Sequence, residues 1–392
     1  MDESISIRVA RSLVEVEALR EVWERSAGHR DSDIDVFLMV VKSLPSVIRP
    51  HVISIYKGDK PESILIGRLE QKRLVFRAGY IALFRPRVRC LNFIYGAIRG
   101  NDSEKNIELL VHALIASLKC NEADLAMFEF VPEAAPLYQF VLNMPSFLSR
   151  DILPASQLHD SLTIPRSIDD VYRNMSKERR KHTKSYIKRL ENICTGGVRI
   201  VCYRDHSDLE CLFRDAEKIA KKTYQRGLGV GFADNPIIRK RLELGAEKGW
   251  LRAFVLYVGE IPCSFWIGML YHGTFVSEYM GYDPEYRQYS PGIVLIIRVI
   301  EGFCNDTNGD NVEELDFGIG HAEYKRTLCS RTWREAVLFI FSPTIKGCKL
   351  KMMRLAARLI DATARTVLSR MDLLSLIKRA WRNHVALGKD DC

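Results

Sequence analysis

The sequence predicts an α/β protein with two repeated halves and a basic helical extension, and three observations support this. Apolar runs of strand length alternate with helix-length segments along most of the 392 residues. The order helix, strand, short helix occurs at 103–143 and again at 291–328. From Ile345 onward, apolar residues alternate with Lys and Arg at helical spacing. We expect a domain at 1–152, a duplicate at 165–342 and a tail at 343–392, unless unrelated α/β segments merely look alike.

The first half contains a predicted hairpin and a capped helix. Two apolar runs flank the polar turn Lys57–Pro61, which is the pattern of a β-hairpin. Ser103 precedes a helical pattern as an N-cap residue does. The predicted elements are, in order, strand Ile5–Val9, helix Leu13–Ser26, strands His51–Tyr56 and Ser63–Leu69, helix Ser103–Leu118, strand Ala123–Phe130 and helix Pro136–Asn143.

The second half repeats this order after a basic helix at Ser176–Leu190. The turn Val258–Glu260 joins two apolar runs as a second hairpin. The other predicted elements are helices Leu209–Tyr224 and Ile237–Lys248, strands Leu251–Tyr257, Ile261–Tyr271 and Thr274–Gly281, a helix from Pro291, strand Val312–Phe317, helix Ala322–Leu328 and strand Ala336–Phe341.

Composition predicts a cytoplasmic protein without a metal site or disulfide framework. The content of 47% hydrophobic and 27% charged residues is that of a globular protein. The start, Met1–Ser4, is acidic and is followed by no apolar core, so we expect no secretory signal. The ten cysteines occur singly with no C-x-x-C pair, which argues against zinc and against disulfides.

The net charge of +9 is concentrated in two patches. Ser176–Leu190 holds seven Lys and Arg against one Glu, and Ile345–Val385 holds ten against two Asp. Local patches indicate local anionic contacts. Arg180 and Lys184 lie four apart on one predicted helix face, where they would meet an anionic acceptor such as a nucleotide sugar or a lipid-linked sugar phosphate. The alternative is a solvated helix face.

Two further regions have candidate binding roles. Tyr224 and Arg226 end the predicted helix at 209–224 and are candidates for lining an acceptor cleft. The basic tail has three interpretations: a cap on the second domain, an interface for a partner protein, and an element that lies peripherally on a membrane surface.

The stretch Tyr282–Gly292 turns a strand into a helix. A helix N-terminus presents unpaired amides at the positive end of the helix dipole, and this geometry binds phosphate. The alternative is an ordinary strand, turn and helix with Pro291 at the first helical position.

Three motifs in this half resemble those of the GCN5-related N-acetyltransferase (GNAT) superfamily. Asp283–Gly292 is similar to the family's acyl-CoA pyrophosphate loop, with Arg287, Ser290 and Gly292 on its pattern and Ser in place of the first Gly. Ala322–Leu328 resembles the family's last helix, which carries a Tyr. Together with Asp316–Gly320, these motifs look like the CelD-like branch, which is associated with cellulose and exopolysaccharide biosynthesis and is related to the Fem-type tandem-GNAT aminoacyl transferases. The resemblance is good over 165–342 and weaker over 1–150.

The resemblance implies an acyltransferase that uses acetyl-CoA or another acyl-CoA as donor and an amine or hydroxyl as acceptor. It implies that Tyr324 protonates the leaving thiolate, with Glu278 and Asp316 as candidate bases and Lys325 as a partner of phosphate or of Asp316. The first half has Tyr95–Gly100 before its helix, which lacks the loop spacing. The residues implied in coenzyme binding are Tyr279, Met280, Gly281, Tyr282, Arg287, Gln288, Tyr289, Ser290, Pro291, Gly292 and Ile293.

Two other functions stay open at this point. In a Fem-type aminoacyl-tRNA-dependent transferase, the basic patches would bind RNA. In a non-catalytic scaffold, a degenerate pair of GNAT-like halves would act through the basic tail.

Overall fold

The computed structural model describes residues 4–25, 28–79, 81–193, 197–223, 226, 231–307, 309–320 and 322–370, the last six by backbone alone. The chain forms two compact units. Of the described residues, the first unit contains those up to 157 together with 334–370, and the second contains those from 158 to 333. Among the helices so described, none combines the length and the apolar character that crossing a bilayer requires.

The first unit is a mixed sheet covered by helices. Its strands are β1 (Ile5–Ala10), β2 (Val47–Pro50), β3 (Val52–Lys57), β4 (Lys60–Arg73), β5 (Phe76–Ala78), β6 (Ile81–Phe84), β7 (Arg87–Gly100), β8 (Leu125–Pro132) and β15 (Arg331–Phe341). Its helices are α1 (Leu13–Glu17), α2 (Arg20–Glu24), α3 (Ile34–Ser43), α4 (Glu104–Lys119), α5 (Pro136–Asn143) and α12 (Ile345–Arg370). The strand order is β1-β3-β4-β7-β8-β15, with β2 beside β4 and β5-β6 as a separate hairpin. Leu110 and Leu114 of α4 pack into its core.

The second unit has the same plan. Its strands are β9 (Ala155–Thr163), β10 (Val198–Tyr203), β11 (Leu251–Val258), β12 (Ile261–Tyr271), β13 (Thr274–Tyr282) and β14 (Glu314–Ile319). Its helices are α6 (Ile168–Asn174), α7 (Lys177–Glu191), α8 (Leu209–Ala220), α9 (Pro236–Glu247), α10 (Pro291–Cys304) and α11 (Glu323–Leu328). The strand order is β9-β14-β13-β12-β11-β10. The helix α10 packs into one apolar cluster and α8 with α9 into another.

The predicted repeat is confirmed in its central elements. The order α4, β8, α5 in the first unit matches α10, β14, α11 in the second. In each unit the strand before this segment pairs in parallel with the strand inside it, β7 with β8 and β13 with β14. The α/β fold class with two similar halves and a C-terminal helix is therefore as predicted.

Each unit takes its last strand from an unexpected part of the chain. The strand β9 lies where we predicted a linker, and it pairs antiparallel with β14. The strand β15, predicted to close the second half, pairs with β8 through Glu335–Phe341. The division of the chain therefore differs from the predicted ranges 1–152 and 165–342. The helix predicted at 13–26 is two short helices, because the backbone of Leu19 (φ −94°, ψ 2°) leaves the helical region.

The helix α12 packs on the first unit rather than capping the second. Leu350 and Ala357 are buried with Phe339 and Phe341 of β15. Arg354 donates a hydrogen bond of 2.6 Å to the carboxylate of Asp151, and both side chains are at least nine-tenths buried. This buried ion pair fixes one side of the helix to the loop before β9.

Replacing Asp151 by Asn should destabilise the protein strongly, because it leaves the Arg354 guanidinium buried without a counter-charge. Removing one partner of a buried pair typically costs about 3–5 kcal/mol. Urea unfolding followed by circular dichroism measures the change. The matched control is Asp170→Asn, whose partner Arg173 is 73% exposed, and an exposed pair is worth about 0–1 kcal/mol. Equal losses in the two variants would contradict the buried pair as an anchor.

Candidate functional site

The strands β13 and β14 separate, and this leaves part of β13 with one open edge. The parallel pairing runs only from Thr274 to Val276 on β13. On the opposite edge, β14 pairs with β9 from Glu314 to Ile319. Residues from Ser277 to Tyr282 keep their partner β12. Since backbone amides and carbonyls need hydrogen-bond partners, this edge can pair with an extended ligand.

The turn after β13 is held by buried charge. Asp283 is 4% exposed and accepts a hydrogen bond from the amide of Glu285 at 3.1 Å, at the start of a 3-10 turn over Pro284–Tyr289. Lys222 donates to Asp283 at 2.7 Å and to Glu285 at 2.8 Å. These two hydrogen bonds raise the pKa of Lys222. Lys222 could not be predicted from the sequence, because helical spacing does not show that a lysine 61 positions away holds this turn.

Ser290 directs the chain from this turn into α10. Its backbone is left-handed (φ 49°, ψ 53°), and its side chain caps no amide of α10. A left-handed conformation costs a residue with a Cβ roughly 1–2 kcal/mol. The strain therefore lies at Ser290, near the end of the predicted pyrophosphate loop.

The N-terminus of α10 offers fewer amides than predicted. The amide of Ser290 donates to Arg287 and that of Ile293 to Ser290, at 3.1 Å and 3.0 Å. Pro291 has no N–H. The amide of Gly292 has no acceptor among the described residues. The first turn carries no charged side chain, so the positive end of the dipole is not neutralised there.

Gly292 is not required by its surroundings in the protein. A Cβ placed on it would lie 3.6 Å from the ring of Tyr282, an ordinary contact, and its φ is not left-handed. Glycine inside a helix costs about 0.5–1 kcal/mol relative to alanine. The resemblance implies a ligand that approaches the backbone closely here, and this role of Gly292 stays a prediction.

The equivalent helix of the first unit is closed to anions by its own side chains. The Ser103 hydroxyl accepts from the amide of Asn106 at 3.4 Å, and the Asn101 side chain accepts from the amide of Ser103 at 3.1 Å. Glu104 adds a negative charge in the first turn of α4. Only the second unit therefore presents an uncapped helix start beside a parted strand.

Tyr324 lies beside the open edge of β13. Its hydroxyl donates to the sulfur of Met280 at 3.0 Å, and its ring lies 6.0 Å from that of Phe317. Met280, Tyr289 and Tyr324 all pack against the apolar cluster that contains α10. The structure thus brings together the predicted loop and the predicted tyrosine, which are more than 30 positions apart in the chain.

Glu278 lies on the other face of the sheet. The pairing of β12 with β13 shifts between Ile267 and Gly268, so that Glu278 is the extra residue of a bulge. Its carboxylate is 3.4 Å from the guanidinium of Arg241 on α9, and the side chain is 5% exposed. Tyr279 packs on this same side, 5.7 Å from Phe232. The role of base predicted for Glu278 stays a prediction, with Arg241 as its partner.

Asp316 belongs to a buried polar cluster. It lies 2.6 Å from the imidazole of His159 and accepts from the amide of Gly318 at 2.6 Å. His159 stacks on Trp333 with ring centres 4.3 Å apart. Lys325 donates to the carbonyls of Gly318 and Ile319, and burial lowers its pKa. His159 was missed because its polar strand resembles a linker.

The predicted acceptor residues are engaged within the protein. Arg180 donates to the carbonyl of Arg173 at 3.4 Å, and Lys184 lies 5.0 Å from the ring centre of Tyr172. Arg226 donates to Glu217 and to the carbonyl of Phe232 at 2.8–3.2 Å. These bonds connect Arg226 to α8 and to the chain at Phe232. Tyr224 lies outside the described residues.

An open cavity of about 640 Å³ adjoins the face of α11 that carries no tyrosine. Arg179 and Glu323 form an ion pair at its rim. Arg326 makes no ion pair or side-chain hydrogen bond with the described residues. The lining residues are Asn174, Met175, Ser176, Glu178, Arg179, His182, Glu323, Arg326 and Thr327.

Comparison with known proteins supports the family and the fold. Residues 177–326 match the family profile described as "Acetyltransferase (GNAT) domain". No curated protein matches the sequence.

Three solved structures are similar to the chain. The C-terminal domain of a putative lysylphosphatidylglycerol synthetase from Agrobacterium fabrum is 10% identical, with 89% of this chain and 95% of that one covered at a TM-score of 0.51. A tandem GNAT protein from the clavulanic acid biosynthesis pathway is 9% identical, with 87% and 99% covered at 0.50. FemX is 10% identical, with 77% and 90% covered at a TM-score of 0.49.

The two structures with TM-scores of 0.50 or more share the fold over nearly the whole of their own chains. The match over residues 177–326 supports an acyltransferase, and the chain shares the fold of a tandem GNAT protein over most of its length.

Proposed function

We propose that this chain transfers an acyl group from acyl-CoA to an amine or hydroxyl of a small anionic acceptor. The observation that carries the proposal is the uncapped start of α10 at Gly292, directly after the strand whose edge opens beside Tyr324. The CelD-like motifs favour an acceptor from polysaccharide or cell-envelope biosynthesis.

The donor would lie along the open edge of β13. Its diphosphate would accept from the amide of Gly292, with the exposed Arg287 adding positive charge. Its pantetheine arm would pair with the backbone between Ser277 and Tyr282, as a strand pairs with an edge. The thioester would then lie near Met280 and Tyr324, because a pantetheine arm paired with β13 extends along that strand.

The reaction is a substitution at the thioester carbonyl. The acceptor nitrogen or oxygen forms a bond to the carbonyl carbon, the carbon–sulfur bond breaks, and the acceptor's proton passes to a base. The Tyr324 hydroxyl would donate its proton to the departing thiolate and regain one from solvent. Which of Glu278 and Asp316 acts as the base stays a prediction. The Glu278 carboxylate contacts Arg241, and the Asp316 carboxylate contacts His159.

The acceptor would enter through the cavity beside α11. Arg326 offers a guanidinium to a phosphate or carboxylate. Glu178 and Glu323 line the same space and would favour an acceptor that also carries an amine. The predicted residues Arg180 and Lys184 would contribute positive potential from α7 rather than direct contacts.

Calorimetry distinguishes acyl-CoA transfer from the alternative of aminoacyl-tRNA transfer. We expect the purified chain to bind acetyl-CoA and coenzyme A, since both carry the diphosphate. Binding of charged tRNA without binding of either coenzyme would assign the site to the tRNA-dependent reaction. Binding of neither class would favour the scaffold.

Replacing Tyr324 by Phe should lower kcat at least about tenfold, because loss of a positioned general acid costs about 10²–10⁴-fold in the chemical step. Release of free thiol from acyl-CoA measures the rate. Affinity for coenzyme A and the thermal midpoint should stay close to those of the wild type. Tyr56→Phe in the first unit is the control, and an unchanged kcat in Tyr324→Phe would remove the tyrosine from the chemistry.

Replacing Gly292 by Ala should weaken coenzyme binding at least tenfold without destabilising the fold. The added methyl has room in the protein but occupies the space that a diphosphate needs. Gly302→Ala is a matched control in the same helix, where an added Cβ has no other atom within 4 Å. Both variants should gain up to about 1 kcal/mol in unfolding free energy. If both bind coenzyme A like the wild type, the diphosphate does not lie at Gly292.

Replacing Ser290 by Gly should raise the unfolding free energy by up to about 1 kcal/mol. Glycine relieves the strain of the left-handed backbone. Part of this gain in stability is offset, because glycine also raises the entropy of the unfolded chain. Ser290→Ala keeps the Cβ and should show no such gain. Urea denaturation of the three proteins measures this, and a gain in the Ala variant equal to that in the Gly variant would mean that backbone strain is not the cause.

A further inference from the structure

The helix α12 exposes an apolar stripe and buries charged side chains beside its buried apolar ones. Ile345, Met352 and Leu359 are seven positions apart and therefore share one helix face. They are 91%, 61% and 50% exposed. The opposite face carries Lys351, Arg354 and Asp361, which are each less than 9% exposed. Such a helix leaves an apolar stripe outside the core of the first unit.

Two neighbouring segments extend this stripe. The loop 145–154 carries Phe147 and Leu148, which are 68% and 62% exposed. The ammonium of Lys351 bonds to the carbonyl of Phe147, and this contact fixes the loop against α12. The hairpin β5–β6 carries Ile81, which is 69% exposed. The amide of Gly79 donates to Asp361 at 2.7 Å and fixes the hairpin on the other side of the helix.

Most of the exposed large apolar side chains of the described chain lie in these three segments. They hold ten of seventeen such residues, although the segments are a small part of the chain. The ten are Val75, Ile81, Phe147, Leu148, Ile152, Leu153, Ile345, Met352, Leu359 and Ile360. Soluble monomers rarely expose contiguous apolar patches of this kind unless the patch binds something. We call residues 72–87, 145–154 and 345–364 the α12 face.

The charge of the α12 face has one sign. Its three segments contain eleven Lys and Arg against two Asp. Both acids, Asp151 and Asp361, are 5% exposed and bonded within the unit. Among the charged side chains of this face that reach solvent, all are therefore basic. Lys349 lies on the apolar stripe itself, between Ile345 and Met352, and is exposed.

We propose that the α12 face docks on the surface of a bilayer that contains anionic lipids. Apolar side chains enter the boundary between headgroups and acyl chains, and the surrounding cations contact lipid phosphates. A second copy of this chain is disfavoured, because it would set the basic surface of one copy against the basic surface of the other. Nucleic acid would pair with the cations but would leave Phe147, Met352 and Leu359 in contact with water or with a polar surface. This inference does not rest on the proposed acyl transfer.

Co-sedimentation of the full chain with vesicles tests the proposal. We use vesicles of phosphatidylcholine with about 30% phosphatidylglycerol and vesicles of phosphatidylcholine alone. The wild type should bind the anionic vesicles at least tenfold more tightly than the neutral ones. Raising the salt from about 0.1 M to 1 M should release it in large part, because the Debye length falls from about 10 Å to 3 Å.

A double variant, Phe147→Glu with Met352→Glu, should lose at least tenfold in affinity for the anionic vesicles. Both side chains are exposed, so the thermal midpoint should change little. The control is Val14→Glu, an 80% exposed apolar side chain of the same unit outside the α12 face. Val14→Glu adds one negative charge. A second control combines it with Ile48→Glu and so matches the charge change of the double variant.

Three results would overturn the proposal. The wild type does not bind anionic vesicles, or the Val14→Glu, Ile48→Glu protein loses as much affinity as the test variant. Alternatively, the wild type is a dimer in sedimentation analysis that Met352→Glu dissociates, which would assign the α12 face to a second copy. Lys349→Gln provides an independent check, because it leaves the apolar side chains intact and should reduce binding to anionic vesicles alone.

Discussion

The site depends on the parting of β13 from β14 after only three paired residues. Asp316, the last of these on β14, contacts His159 of β9 at 2.6 Å. Lys325 then binds the carbonyls of Gly318 and Ile319 as the chain leaves the strand. These buried polar contacts hold β14 to β9, which pairs with it from Glu314 to Ile319, whereas β13 pairs with only the first three residues of β14. Buried polar groups are costly when unpaired, and the cluster therefore resists a return of β14 to β13. The open edge follows from this constraint, and Met280 lies on it.

The two units show how one plan gives two chemical surfaces. In each, a helix starts after a parted strand. The first unit satisfies the amides of α4 with Ser103 and Asn101 and adds Glu104, all of which repel or exclude an anion. The second also has a serine at the N-cap, but the left-handed Ser290 caps no amide, and Pro291 and Gly292 after it supply no side-chain acceptor. The difference lies in a few side chains at one helix terminus, and the remaining elements are shared.

Much of the repeat and the tyrosine could be predicted from sequence, and the polar supports could not. Apolar periodicity and turn residues locate α10 and β13, because burial on one face imposes a pattern that survives in a single sequence. The strand β9 escapes this test, since His159, Asp160 and Ser161 are buried polar residues and resemble a linker. Glu278 was predicted as a base because it lies on the strand beside the loop. A bulge at that position moves it to the side of Arg241, and nothing in the local pattern indicates a bulge.

The tail shows a different limit of sequence patterns. Helical spacing of apolar residues predicts α12 correctly, and Leu350, Met353 and Ala357 do pack inward. The same helix has a second apolar stripe at Ile345, Met352 and Leu359, so periodicity alone cannot say which stripe is the core. The choice is made by Asp151, which pairs with Arg354, and by the carbonyl of Phe147, which binds Lys351. These contacts orient the helix by its cations as well as by its inward apolar side chains. The exposed stripe is then a consequence of how the helix is anchored. An anionic bilayer surface is the environment that suits both the apolar stripe and the basic residues around it.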